Sequence, residues 1–104
     1  MAKITIRETI LDGNLGDGWF DNAKTADALA DYTRSVWEKD LELFTAQGYD
    51  VVVDISVQYR TTGYSRPVTV SVDDENLLER GIEECLTPNS VIWERFCRSE
   101  EIKK

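Results

Sequence analysis

The sequence predicts a small α+β domain, in which a three-stranded, mostly antiparallel sheet carries one long helix and two shorter C-terminal helices. Three short segments alternate apolar and polar residues, as strands with one solvent-facing side do. A longer segment repeats apolar residues at helical spacing. The segments follow in the order β-α-β-β-α-α. Since 104 residues is an ordinary size for one domain, residues 1–104 are expected to share one core.

The first strand is predicted at residues 3–10, where Ile4 and Ile6 alternate with polar neighbours. Residues 11–22 contain three glycines and predict a loop. A long helix then begins near Asp21 or Asn22 and ends before Gly48. Asp40 falls inside its apolar stripe, and is expected to pair with an arginine or to lie where the last turn rotates outward. The stripe consists of Ala26, Leu29, Ala30, Thr33, Val36, Trp37, Leu41 and Phe44.

Residues 49–60 and 66–72 predict two further strands. In the first of them, valines and one isoleucine at alternate positions face one side, and polar residues face the other. Because the short connection contains Gly63, the two strands are expected to pair as a hairpin. Pro67 has no N–H group, so the last strand is expected to begin there or to lie at an edge.

Two C-terminal helices complete the predicted fold. Three acids at residues 73–75 favour a helix start, since carboxylates suit the positive end of a helix. Thr87 and Pro88 predict the start of the next helix, as an N-cap followed by proline at the first position. Both cysteines fall on the apolar faces, and are expected to be buried thiols in a reducing compartment. These faces are Leu78, Ile82, Cys85 and Leu86, then Ile92, Trp93, Phe96 and Cys97.

The charge of the chain narrows the classes of function. A net charge of -8 predicts no direct binding to nucleic acid or to an anionic membrane, and favours a basic partner protein. The chain has no histidine, which removes the commonest general base and zinc ligand. No P-loop or nucleophile elbow is present. We therefore expect a cytoplasmic, non-enzymatic protein without cofactor or metal, and we find neither a signal peptide pattern nor an apolar run of membrane length.

The candidate partner-binding residues form two sets. The acidic set lies on the predicted helices, where acids four residues apart are spaced ~6 Å along the axis, close to the spacing of phosphates on a nucleic-acid strand. It comprises Asp27, Asp31, Glu38, Glu42, Glu75, Glu79 and Glu83. The second set, at the predicted hairpin tip, comprises Tyr59, Arg60, Tyr64 and Arg66, residue types that anchor protein interfaces. A solvated acidic face, and a tip that only stabilises the hairpin, are the alternatives.

In size, charge and lack of catalytic motifs, the chain is similar as a class to small acidic inhibitors, such as toxin immunity proteins and phage anti-defence (anti-CRISPR-like) proteins. No motif carries this likeness. It implies a protein that docks on a basic, nucleic-acid-binding complex and blocks it by imitating nucleic acid. One alternative is an accessory protein that forms a homodimer through the hairpin edge. Another is a small enzyme or ligand carrier.

Overall fold

The computed structural model describes residues 2–11, 22–59 and 68–103, with backbone only for residues 22–23 and 100–103. It shows a small α+β fold with a three-stranded sheet and helices, as predicted. Most of the predicted loop at residues 11–22 and the predicted hairpin tip lie outside the described ranges. The elements are β1 (Lys3–Leu11), α1 (Asn22–Asp40), α2 (Glu42–Ala46), β2 (Asp50–Gln58), β3 (Thr69–Val72), α3 (Glu79–Cys85) and α4 (Asn89–Lys103).

The sheet is mixed, with strand order β2-β1-β3. The central strand β1 is parallel to β2 and antiparallel to β3. The predicted hairpin between the second and third strands is therefore wrong, because these strands lie on opposite sides of β1. Parallel neighbours need a long crossover, which α1 and α2 supply here. Alternating residues identify a strand and its buried face, but they do not identify its neighbour.

The helices cover one face of the sheet, and the core lies between them. Ile4 and Ile6 of β1 are completely buried, while Lys3 and Arg7 on the opposite face are exposed. α1 packs over β2 and against α4, and α3 packs near β3. The buried apolar side chains are Ile4, Ile6, Ile10, Leu11, Ala26, Leu29, Ala30, Trp37, Leu41, Val53, Ile55, Ile82, Leu86, Ile92 and Phe96.

The prediction of one long helix ending before Gly48 is wrong in its length, because α1 ends at Asp40 and Gly48 instead follows the short helix α2. A break at Leu41 separates α1 from the single turn of α2. The N–H of Gly48, which has a φ of 99°, donates to the carbonyl of Thr45, and the N–H of Tyr49 donates to that of Phe44. This pair of bonds is a Schellman motif, and glycine is favoured because the backbone is left-handed there. The rings of Phe44 and Tyr49, 6.0 Å apart, supply its apolar contact.

Asp40 has a structural role that neither sequence expectation described. Its Oδ2 accepts hydrogen bonds from the backbone N–H and the hydroxyl of Thr87, each at 2.7 Å. The indole of buried Trp37 donates to the Thr87 carbonyl at 3.0 Å. α4 begins at Asn89, so Thr87 and Pro88 precede the helix. The end of α1 therefore holds the turn from which α4 starts.

The predicted start of the second helix is wrong. The side chain of Asp74 accepts a bond from the N–H of Asn76 at 2.9 Å and forms a local turn, which competes with a helix at this point. α3 begins only at Glu79. Leu78 is consequently 75% exposed, and Cys85 is exposed instead of buried. No disulfide joins Cys85 to Cys97 in the described structure.

Candidate protein-binding interface

The outer edge of β2 is the first component of the candidate interface. The N–H of Asp50 donates to the carbonyl of Ala2 at 3.1 Å, so the even-numbered residues of β2 direct their backbone N–H and C=O groups towards β1. Because successive residues direct these groups to alternate sides, the odd-numbered residues direct theirs away from the sheet. These are Val51, Val53, Ile55 and Val57. Within the described ranges, β1 is the only strand paired with β2, so this edge is open.

Helix α1 runs along this open edge in the opposite direction to β2. Near its start, Asp27 accepts a hydrogen bond from the hydroxyl of Tyr59, just after β2. Further along, Nη2 of Arg34 donates to the carbonyl of Ile55 at 3.3 Å. These two hydrogen bonds occur in reverse order along the two elements, and a shared cleft at the far end of the helix agrees with this direction.

At that far end, Glu38 and Glu42 line a cleft of about 560 Å³ together with Val51 at the start of β2. The two carboxylates therefore lie near Val51, the first residue of the strand whose backbone N–H and C=O groups point away from β1. Exposed Leu43, at 75% relative accessibility, follows Glu42 in the chain.

Four predicted acids, Asp27, Asp31, Glu38 and Glu42, are exposed beside the edge, and together we name them the acidic row. By helical rise, the acidic row extends about 22 Å. By strand rise, the adjacent path from Val51 to Tyr59 extends about 26 Å. The acidic row therefore lies alongside the open edge over nearly the whole length of that edge.

Part of the charge of the acidic row is balanced within the chain. Asp31 forms an ion pair with Arg34 at 3.1 Å, and Asp27 is bonded to Tyr59. Glu38 and Glu42 form no ion pair with any residue of the described segments. Glu38 and Glu42 are thus the acids of the acidic row without an ion pair to a described residue, and Lys39 lines the same cleft.

The remaining predicted acids form a separate group. Glu75 and Glu79 line a second cleft with Asp73 and Leu78, and Glu83 is exposed on α3. Since α3 packs near β3 and α1 packs over β2, the two acidic groups lie towards opposite edges of the sheet. The structure therefore separates the predicted acidic set into two parts.

The aromatic and basic part of the prediction is described only at Tyr59. This side chain is 48% exposed and contacts Asp27, which brings it to one end of the acidic row. Arg60, Tyr64 and Arg66 lie outside the described residues.

Glu8 is a buried carboxyl that the sequence analysis missed. It is 7% exposed, and its Oε1 accepts a bond from the side-chain amide of Asn89 at 2.7 Å. Its Oε2 is buried without a hydrogen-bond partner among the described residues. Burial raises the pKa of Glu8, and the bond from Asn89 offsets part of that rise. The available signal was its even-numbered position between Ile6 and Ile10, which the alternation assigns to the buried face.

A cleft of about 470 Å³ lies next to this carboxyl, between the end of α1, α3 and the start of α4. Asn89, whose side-chain amide donates to Glu8, lines the cleft. The other lining residues are Trp37, Val68, Arg80, Glu83, Glu84, Leu86, Thr87 and Pro88. Around this cleft the described residues offer one buried carboxyl, which is too little to define a reaction class.

Nowhere in the described segments do three or more of His, Cys, Asp and Glu converge as metal ligands. Among the helices that the structure describes, none combines the length and apolar character needed to cross a bilayer. Comparisons with protein-family models, with curated proteins and with solved structures gave no significant match in any of the three.

Proposed function

We propose that this protein is a non-enzymatic, cytoplasmic binding protein that docks on a basic surface of a partner and inhibits it. The partner surface would be one that otherwise binds nucleic acid, and the acidic row would occupy it in place of phosphates. The observation that carries this proposal is the position of the acidic row along an open strand edge.

The spacing and charge of the acidic row support nucleic-acid mimicry. Within the pairs Asp27–Asp31 and Glu38–Glu42 the acids are about 6 Å apart along the helix axis, close to the separation of phosphates on a strand, and about 10 Å separates the two pairs. Glu38 and Glu42, which have no ion pair with a described residue, are available to a partner's lysines or arginines. A net charge of -8 would also accelerate encounter with a basic protein.

Exposed apolar side chains at the two ends of the acidic row support a protein partner. Tyr59 lies beside Asp27, and Leu43 follows Glu42. They are 48% and 75% exposed. Protein interfaces draw much of their free energy from a few aromatic and apolar contacts, around which charged residues set orientation and specificity.

The alternative of self-association has less support. It relied on a hairpin edge, and β2 and β3 do not pair. Two copies joined through the open edge of β2 would bring two acidic rows together, at an electrostatic cost.

A competition experiment tests the proposed function. The partner would be identified by crosslinking in the native host and purified, because capture alone shows neither directness nor site. We expect its affinity for this protein to fall at least about tenfold between about 0.05 M and about 0.5 M salt, since the attraction is between surface charges. We also expect this protein to displace nucleic acid from the partner. Salt-independent affinity, or a stable ternary complex with nucleic acid, would contradict the proposal.

A further inference from the structure

We infer that the partner contributes an extended, basic segment, which adds to the outer edge of β2 as a fourth strand. This inference rests on the proposed function and specifies how the partner is held. Its chemical class is a segment in which lysine or arginine recurs at alternate positions.

The backbone of β2 supplies the first part of the argument. Val51, Val53, Ile55 and Val57 direct their N–H and C=O groups away from β1. β2 contains nine residues, which is long for an open edge, since proteins usually shorten or cover such strands. The carbonyl of Ile55 already accepts a hydrogen bond from Arg34, and an added strand would satisfy the other outward groups through backbone hydrogen bonds, whatever its own sequence.

The acidic row supplies specificity for basic side chains. In an added strand, side chains at alternate positions lie on the same face, about 6.6 Å apart. The acids of the acidic row fall into two pairs, Asp27–Asp31 and Glu38–Glu42, with about 6 Å along the helix within each pair and about 10 Å between the pairs. Lysines or arginines at every second position would therefore meet the two acids of each pair. On the opposite face of the sheet, the exposed Asp50 and Asp54 project from β2.

The guanidinium of Arg34 already makes, within this chain, the two kinds of contact that we expect of a partner arginine. Its Nη1 pairs with Asp31 at 3.1 Å, while its Nη2 donates to the carbonyl of Ile55 at 3.3 Å. One basic side chain thus bridges a carboxylate of the acidic row and an outward carbonyl of the edge. A partner arginine near Glu38 and Val51 would make the same pair of contacts.

The negative charge around the edge favours a basic segment of a partner over a second copy of this chain. A second copy of this chain would bring another net charge of -8, and its own β2 carries Asp50 and Asp54. A basic segment instead gains attraction from the acidic row on one face and from Asp50 on the other, where Asp54 already forms an ion pair with Arg7 at 3.8 Å. The two sources of attraction favour a basic segment of another protein.

Synthetic peptides can test the inference without the native partner. The parent peptide would match the nine-residue length of β2 and would alternate lysine with threonine. Two further peptides would carry N-methyl groups, one on the backbone nitrogens of its lysines and the other on the backbone nitrogens of its threonines. This change removes backbone hydrogen-bond donors and leaves the charge unchanged. Binding would be measured by titrating the isotope-labelled protein and following its amide signals.

We expect the parent peptide to shift the amide signals of Val51, Val53, Ile55 and Val57. One N-methylated peptide should bind at least about tenfold more weakly than the parent, and the other about as well, since only alternate nitrogens of an added strand face the edge. Equal binding of all three peptides, or no binding of the parent, would overturn the inference. The proposed function would survive that result, because salt dependence and competition with nucleic acid test it separately.

Discussion

Changing Glu38 and Glu42 together to lysine is expected to weaken binding of the basic partner about a hundredfold or more. Both carboxylates are exposed, lie beside Val51 and form no ion pair with a described residue. The substitution removes two attractive contacts and places like charges opposite the partner's basic side chains, a change that costs several kcal/mol at protein interfaces. Because the side chains are on the surface, the free energy of unfolding should change by less than about 0.5 kcal/mol per site.

The matched control changes Glu79 and Glu83 to lysine. This double variant has the same net charge, but its substitutions lie on α3, towards the other edge of the sheet. We expect it to lose affinity only about threefold to tenfold, through the weaker long-range field. Calorimetric titration of both variants with the purified partner would measure the difference. Equal losses in the two variants would show that net charge, and not the acidic row, determines binding.

Replacing Glu8 with leucine is expected to raise the free energy of unfolding at neutral pH by about 1–3 kcal/mol, the usual cost of a buried polar atom without a partner. Oε2 of Glu8 has no hydrogen-bond partner among the described residues, and leucine fits a strand face that already contains Ile6 and Ile10. Asn89 is exposed, so its amide can bond to water once the carboxyl is removed. Denaturant unfolding of both proteins would measure the change.

The glutamine variant at Glu8 separates charge from packing. Burial raises the pKa of Glu8 above its usual value of 4.5, so the folded protein holds this proton more tightly than the unfolded chain does. The resulting stabilisation is fully present below pH 4.5 and is lost as the pH rises through the raised pKa. Glu8→Gln has no such loss, so its advantage over the wild type should grow from about pH 4 to about pH 7.

The exposed substitution Glu38→Gln controls for the general effect of removing a carboxylate, and should change the free energy of unfolding by less than about 0.5 kcal/mol. An advantage of Glu8→Gln that stays constant with pH would show that Glu8 is ionised equally in the folded and unfolded chains. A leucine variant that is less stable than the wild type would contradict the expected gain, because the lost hydrogen bond from Asn89 would then outweigh the removal of the buried Oε2.

Much of the fold followed from residue periodicity and local chemistry. The stripe from Ala26 to Leu41 identified α1, and Gly48 identified the end of α2, because both signals are local. The break at Leu41 between the two helices was not predicted. The pairing of the strands could not be predicted in the same way. It depends on which strand takes the centre, and Ile4 and Ile6 could have packed equally well in a different strand order.

The candidate interface was predictable only in part. Helical spacing placed the acids of α1 on one exposed face, where the structure has them. Their position beside the edge of β2 follows from the parallel pairing of β1 and β2, which the sequence analysis did not predict. Glu8 was predictable from its position in the alternation, whereas its bond to Asn89 joins elements distant in sequence.

Amide hydrogen exchange in the complex with the native partner is the most direct test of the central claim that the partner occupies the edge beside the acidic row. The outward N–H groups of Val51, Val53, Ile55 and Val57 face no strand within the described ranges, so they should exchange rapidly in the free protein. The claim predicts that binding slows the exchange of these four amides strongly. It is contradicted if they exchange as before while amides of α3 become protected.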